Sequence, residues 1–116
     1  MKGPAASLDA ARIARLRRLG GEELVKRLVD LFLDAVPARL AAARAALAAG
    51  DRRGLARAVH SLVSSAGNLG ATGLERLSRE IEGRAAGDPP ESLEALLAVM
   101  EEAFEGLRPL LREVRG

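Results

Sequence analysis

The chain has no cysteine, tryptophan or tyrosine; two phenylalanines are its only aromatic residues, and it has a single histidine. Without cysteine there are no disulfides, thiolate nucleophiles or sulfur-ligated zinc sites, which fits a reducing compartment and a cytoplasmic location. One histidine is also too few for a multi-histidine metal site, so no metal or other cofactor is expected in this chain. The missing aromatics remove the stacking platforms on which single-stranded nucleic acids are held. Charge of one sign is lacking too: 18 basic residues face 16 acidic ones, for a net charge of +2. The pI near 9.9 therefore reflects arginine rather than a basic surplus. No Lys/Arg run exceeds two residues, so a nucleic-acid partner is not expected. Long apolar runs are absent as well. The longest candidate, "LAAARAALAAG", is interrupted by Arg44, and "MKGPAASLDAAR" at the start has no apolar targeting segment. Neither a membrane span nor a secretory signal is read here.

What remains is a helix-forming composition. Hydrophobic residues make up 48% of 116 positions, much of it alanine and leucine, enough for one domain with a real core. Glycine and proline punctuate the chain. Ser7 is placed to cap a short helix over about 8–19 with a stripe of Ile13, Leu16 and Leu19, stopped by Gly20 and Gly21. A long helix follows, with Val25, Val29, Phe32, Val36, Leu40, Ala43 and Leu47 at helical spacing. Pro37 should kink it without ending it, since the stripe resumes on the same face. Gly50 and Asp51 read as a helix stop and an N-cap. Leu55, Val59, Leu62, Ala66 and Leu69 form the next stripe, and Thr72 with Glu75 reads as a capping box. Leu74, Leu77 and Ile81 follow. Asp88-Pro89-Pro90 then opens a last helix striped by Leu93, Leu97, Met100, Phe104, Leu107, Leu111 and Val114.

No strand alternation, solenoid repeat or low-complexity linker interrupts this pattern. The expected fold is all-α: a single domain over 1–116, with an antiparallel four-helix bundle over about 22–115 and the short N-terminal helix packed across it. From Leu24 to Leu33 every residue but Lys26, Arg27 and Asp30 is apolar, more than one bundle face uses. Either the short helix covers the surplus, or it is an exposed docking patch centred on Leu24, Leu28 and Leu31.

His60 does not point into the core. At about 100° per residue it lies roughly 145° from the centre of the Leu55–Leu69 stripe, on the solvent face. One turn away are Ala56, Arg57, Val63 and Ser64, with Arg53 and Gly67 two turns away. The small residues leave the imidazole clear, and the arginines could stabilise a phosphoryl group on it. On the residues alone, a solvated surface histidine and a nucleophile both remain open. A serine-protease arrangement does not: Ser61, Ser64 and Ser65 share one helix with His60, with no oxyanion hole. "GATG" is a loop and not a phosphate cradle.

The stretch "AVHSLVSSAGNLGATGLERLSREIE", Ala58–Glu82, resembles the histidine-containing phosphotransfer (HPt) domain of bacterial multistep phosphorelays. His60, Leu62, Ser65, Ala66, Asn68, Leu69, Gly70, Leu74 and Leu77 fall in register with that family's pattern, and Ile81-Glu82 stands for its terminal Leu-Glu pair. The resemblance implies that His60 is a phosphoacceptor that exchanges its group with the aspartate of a response-regulator receiver domain or a hybrid sensor kinase. Mg²⁺ would be supplied by the receiver. It also implies a monomeric phosphocarrier without a self-sufficient active site, either free-standing or part of a larger kinase. Two positions depart from the family: its usual lysine is Val63 and its usual glycine is Ser64. Arg57 and Ser64 are then the candidates for steadying the phosphoryl group. Arg53, Ala56, Val63 and Gly67 join Leu24, Leu28 and Leu31 as the docking surface. The alternative is a degenerate helical module that binds receivers without being phosphorylated.

Overall fold

The computed structural model describes residues 7–116. Residues 1–6, the start of the stretch in which no targeting segment is read, lie outside the described residues. Four helices account for the fold: α1 (Ala10–Ala48), α2 (Arg52–Asn68), α3 (Thr72–Arg84) and α4 (Pro90–Arg115), with no strand among the described residues. Each packs on its sequence neighbours, and α4 closes on α1. The result is an up-down-up-down bundle.

The short N-terminal helix and the long second helix form one element bent at Gly21, where φ 71° and ψ −170° are accessible to glycine almost alone. A straight helix of this length would span about 58 Å, at 1.5 Å per residue. The longest dimension of the molecule is 42 Å. The bend turns the first segment across the end of the bundle. Its first turn is capped by Asp9, whose carboxylate accepts from the Ala11 amide, and not by Ser7 as the sequence pattern suggested. Of the expected stripe, Ile13 is buried and Leu16 half-buried, but Leu19 is 70% exposed, because it lies past the edge that the bend lays over the bundle.

Beyond the bend, Val25, Val29, Phe32, Val36, Leu40, Ala43 and Leu47 are all buried, as their spacing requires. The backbone keeps helical angles through Pro37, an exposed position where the missing amide bond faces water. Asp51 caps α2 as expected, accepting from the Gly54 amide. The expected capping box at α3 is not formed. Thr72 is already helical, Ala71 occupies the cap position, and no side chain bonds there; Glu75 turns instead to Arg12 and Arg79.

The core runs the length of the bundle. Phe32 of α1 and Phe104 of α4 meet edge to face with centroids 6.0 Å apart, and the Arg108 guanidinium lies 4.6 Å above the Phe104 ring. Ser78 is buried on α3 at a core-spaced position, four residues after Leu74, that its polar side chain would not suggest; its hydroxyl donates to the Leu74 carbonyl at 2.8 Å. On the outside, two-pronged pairs clip α4 to α1: Arg44 to Glu101 at 2.6–2.7 Å and Arg115 to Asp30 at 2.6–3.0 Å.

The N-terminal segment is tied to the α2–α3 turn. The Asp9 amide donates to the Gly70 carbonyl at 2.8 Å, and Arg12 donates to the Gly67 carbonyl at 2.9 Å. Gly70 has φ 75°, and a Cβ there would stand 2.8 Å from the Asp9 carbonyl oxygen. Conformation and close approach both demand glycine.

Candidate functional site

His60 stands in the middle of α2 with 69% of its side chain exposed. The surface beneath it is built from small or buried residues: Ala58, Val59, Leu62 and Val63 are buried, and Ala56 is half-buried. Nothing large on α2 shields the ring.

One nitrogen is held. Nδ1 of His60 lies 2.6 Å from Oε2 of Glu82 on α3. A carboxylate can only accept, so Nδ1 carries the proton and donates it. In the neutral ring the other nitrogen, Nε2, is then the one with the lone pair, facing away from α3. This contact follows from the α2–α3 hairpin. The tight turn at Leu69–Ala71 fixes the antiparallel register, so that Gly67 sits against Glu75, His60 against Glu82, and α3 shows a carboxylate at both levels.

The residues read from the sequence divide into two groups. Arg53, Arg57 and Ser64 share the exposed face with His60. Val63 does not: it is only 8% exposed and offers little surface to a partner. Gly67 is half-buried: a Cβ there would sit 3.0 Å from Glu75 Oε2, and its carbonyl is taken by Arg12. The serines are not poised as nucleophiles: Ser61 donates to the Ala58 carbonyl and Ser65 to that of Ser61.

On the α1 side, Leu28, Leu31, Phe32 and Ala35 form a shallow groove with Ser65 and Asn68 of α2 and Leu69 just after it. Leu31 is 58% exposed, Leu28 and Leu24 half-buried. The N-terminal segment of α1 leaves Leu31 open and packs toward Leu110 and Val114 of α4 and toward the α2–α3 turn. Part of the apolar run is thus open, two turns along α2 from His60. Glu82, the residue that orients the imidazole, enters the sequence pattern only as one of its terminal pair. No cluster of metal-ligating side chains occurs among the described residues. No helix among them is long and apolar enough to cross a membrane.

An antiparallel bundle that offers one clear-standing imidazole, with a carboxylate holding its inner nitrogen, defines a histidine phosphotransfer module. The comparisons agree, and the chain belongs to the Hpt domain family, whose pattern matches residues 27–109. The crystal structure of histidine-containing phosphotransfer protein B (HptB) from Pseudomonas aeruginosa PAO1 superimposes with a TM-score of 0.84, at 33% identity over 93% of each chain. No curated relative matches the chain.

Proposed function

We propose that this protein is a phosphorelay intermediate in two-component signalling, in which Nε2 of His60 takes a phosphoryl group from the aspartyl phosphate of a receiver domain and returns it or passes it on. The observation that carries the assignment is the 2.6 Å contact from Nδ1 of the one histidine to Glu82, on a face that is otherwise clear. In the forward step the Nε2 lone pair forms the N–P bond as the bond from phosphorus to the aspartyl oxygen breaks, and the aspartate leaves as a carboxylate. The proton stays on Nδ1. Positive charge grows on the ring as it attacks, and Glu82 stands where that charge is stabilised. Mg²⁺ and the remaining charge compensation belong to the receiver, and this chain supplies the nucleophile and a docking face without a closed active site. That face takes in Ser64, Arg53, Arg57 and Ala56 around His60 and extends to Leu24, Leu28 and Leu31. The protein works as a monomer, in the cytoplasm. The buried Val63 and the half-buried Gly67, whose carbonyl is already bonded to Arg12, are left out of the contact surface.

The degenerate, non-phosphorylated module is not favoured: its only support was the absence of a lysine at position 63, and the nucleophile is in place regardless. Incubation with a receiver phosphorylated by acetyl phosphate tests the assignment. Acid-labile phosphate should move to the wild-type chain and not to His60→Gln, and a His60→Gln protein that still gains it would overturn the reading.

A further inference from the structure

A phosphoryl group on Nε2 brings about two negative charges to a site that already holds the Glu82 carboxylate. Val63, where the family carries a cation, is apolar and buried, so the compensating charge must come from elsewhere.

The α1–α2 pair supplies it. The turn at Ala49–Asp51 joins these helices antiparallel, and their shared groove sets Leu31 beside Asn68. Counting back from the turn along both helices, Arg39 of α1 comes level with His60. It continues the edge of α1 that faces α2, one turn beyond Ala35 and two beyond Phe32, both of which line the groove. Arg57 lies on the matching edge of α2, one turn before Ser61 and three before Asn68, which lines the same groove. The two guanidinium groups thus stem from opposite walls of one crevice. Neighbouring helix axes about 8–10 Å apart leave both within reach of a group standing on α2.

Four further observations agree. Both arginines are exposed, and neither enters an ion pair or a hydrogen bond among the described residues. Arg44, the other charged residue of α1 between Pro37 and Ala48, is fully engaged by Glu101. Between Arg52 and Asn68, α2 carries no acidic residue at all, so its wall of the crevice is positive. The ring is also oriented for this. With Nδ1 turned to Glu82 on the α3 side, Nε2 faces outward and away from α3, toward the side where Arg57 and Arg39 stand.

We propose that Arg39 of α1 and Arg57 of α2 form a two-arginine clamp on the phosphoryl group carried by His60, taking the place of a cation at position 63. The inference rests on His60 being the acceptor. It adds Arg39, a residue outside the phosphohistidine motif and on a different helix, to the groups that touch the reacting atoms.

The test needs no partner protein. Potassium phosphoramidate phosphorylates exposed histidines directly, and ³¹P NMR follows both formation and decay of phosphohistidine. Arg39→Ala and Arg57→Ala should each slow labelling or shorten the lifetime by about three- to tenfold at low salt, with the difference shrinking as ionic strength rises. Arg39→Lys should recover a large part, and the ³¹P shift should move in Arg39→Ala, which a merely structural role would not cause. Arg27→Ala, on the far side of α1, serves as the charge control. Normal labelling of the wild type with unchanged rate, lifetime and shift in Arg39→Ala overturns the clamp alone. An equal loss in Arg27→Ala overturns it too, in favour of bulk charge. Label that persists in His60→Gln overturns the acceptor assignment and the clamp together.

Discussion

Removal of Glu82 is the sharpest perturbation of the mechanism. The carboxylate meets Nδ1 at 2.6 Å, short even for a charge-assisted bond, but the pair is open to water, with 69% of the histidine and 36% of the glutamate side chain exposed. Screening reduces such a contact to about 1 kcal/mol, or about fivefold in rate. The contact strengthens as the ring gains positive charge during attack, so the loss appears in the rate of transfer rather than in docking. Glu82→Ala should therefore slow single-turnover transfer from a phosphorylated receiver about five- to tenfold. Glu82→Gln keeps an acceptor oxygen but not its charge, and should lose only about twofold. Neither change should move the melting temperature by more than a degree or two, since exposed ion pairs stabilise folds little. Rapid-quench kinetics at saturating receiver, with the affinity measured separately, gives the answer. A wild-type rate in Glu82→Ala would refute the orienting role, and so would a loss confined to affinity.

Gly70→Ala must place a side chain at φ 75° against the Asp9 backbone; a cost of about 2 kcal/mol should lower the calorimetric melting temperature by roughly 8–12 °C. Leu31→Asp, at a position already 58% exposed, should leave circular dichroism and melting unchanged while weakening receiver binding about tenfold by titration calorimetry. Hydrogen bonding from Arg44 holds the Glu101 carboxyl below its usual range, against the opposing effect of burial. A lowered folded pKa means that this stabilisation is complete above the unfolded carboxylate value and is lost as pH falls through the folded one. Glu101→Gln should accordingly be slightly less stable than wild type to urea at pH 7, with the gap closing toward pH 3; a gap that widens on acidification would contradict the sign.

The core was legible because its signal is periodic. Stripes such as Val25–Leu47 and Leu93–Leu111 are buried where helical spacing puts them. What failed was local hydrogen-bond chemistry at helix starts. Asp9, and not Ser7, won the first cap because it lies next to the first helical residue, while Glu75 paired with Arg12 of α1 and with Arg79 one turn along its own helix in place of a capping box. The exposed standing of His60 also followed from helical angles. Its environment did not, since each missing piece depends on the register between helices. Glu82 is 22 residues away, and only the length of the turn at Leu69–Ala71 sets it level with His60. Arg39 is the same case across the α1–α2 turn. Val63 is a related case: one hundred degrees from the stripe centre is solvent on an isolated helix, but in the bundle only 8% of it is exposed.

The central claim is that Glu82 fixes the proton on Nδ1 and leaves Nε2 to carry the phosphoryl group. Phosphorylation of ¹⁵N-histidine-labelled protein by phosphoramidate, followed by ³¹P–¹⁵N coupling and the long-range proton correlations of the ring, reports directly which nitrogen is bonded to phosphorus. The structure requires a single phosphohistidine, at Nε2 of His60, with Nδ1 still protonated; phosphorus bonded to Nδ1, or a ring whose Nδ1 has lost its proton to leave Nε2–H, would contradict it.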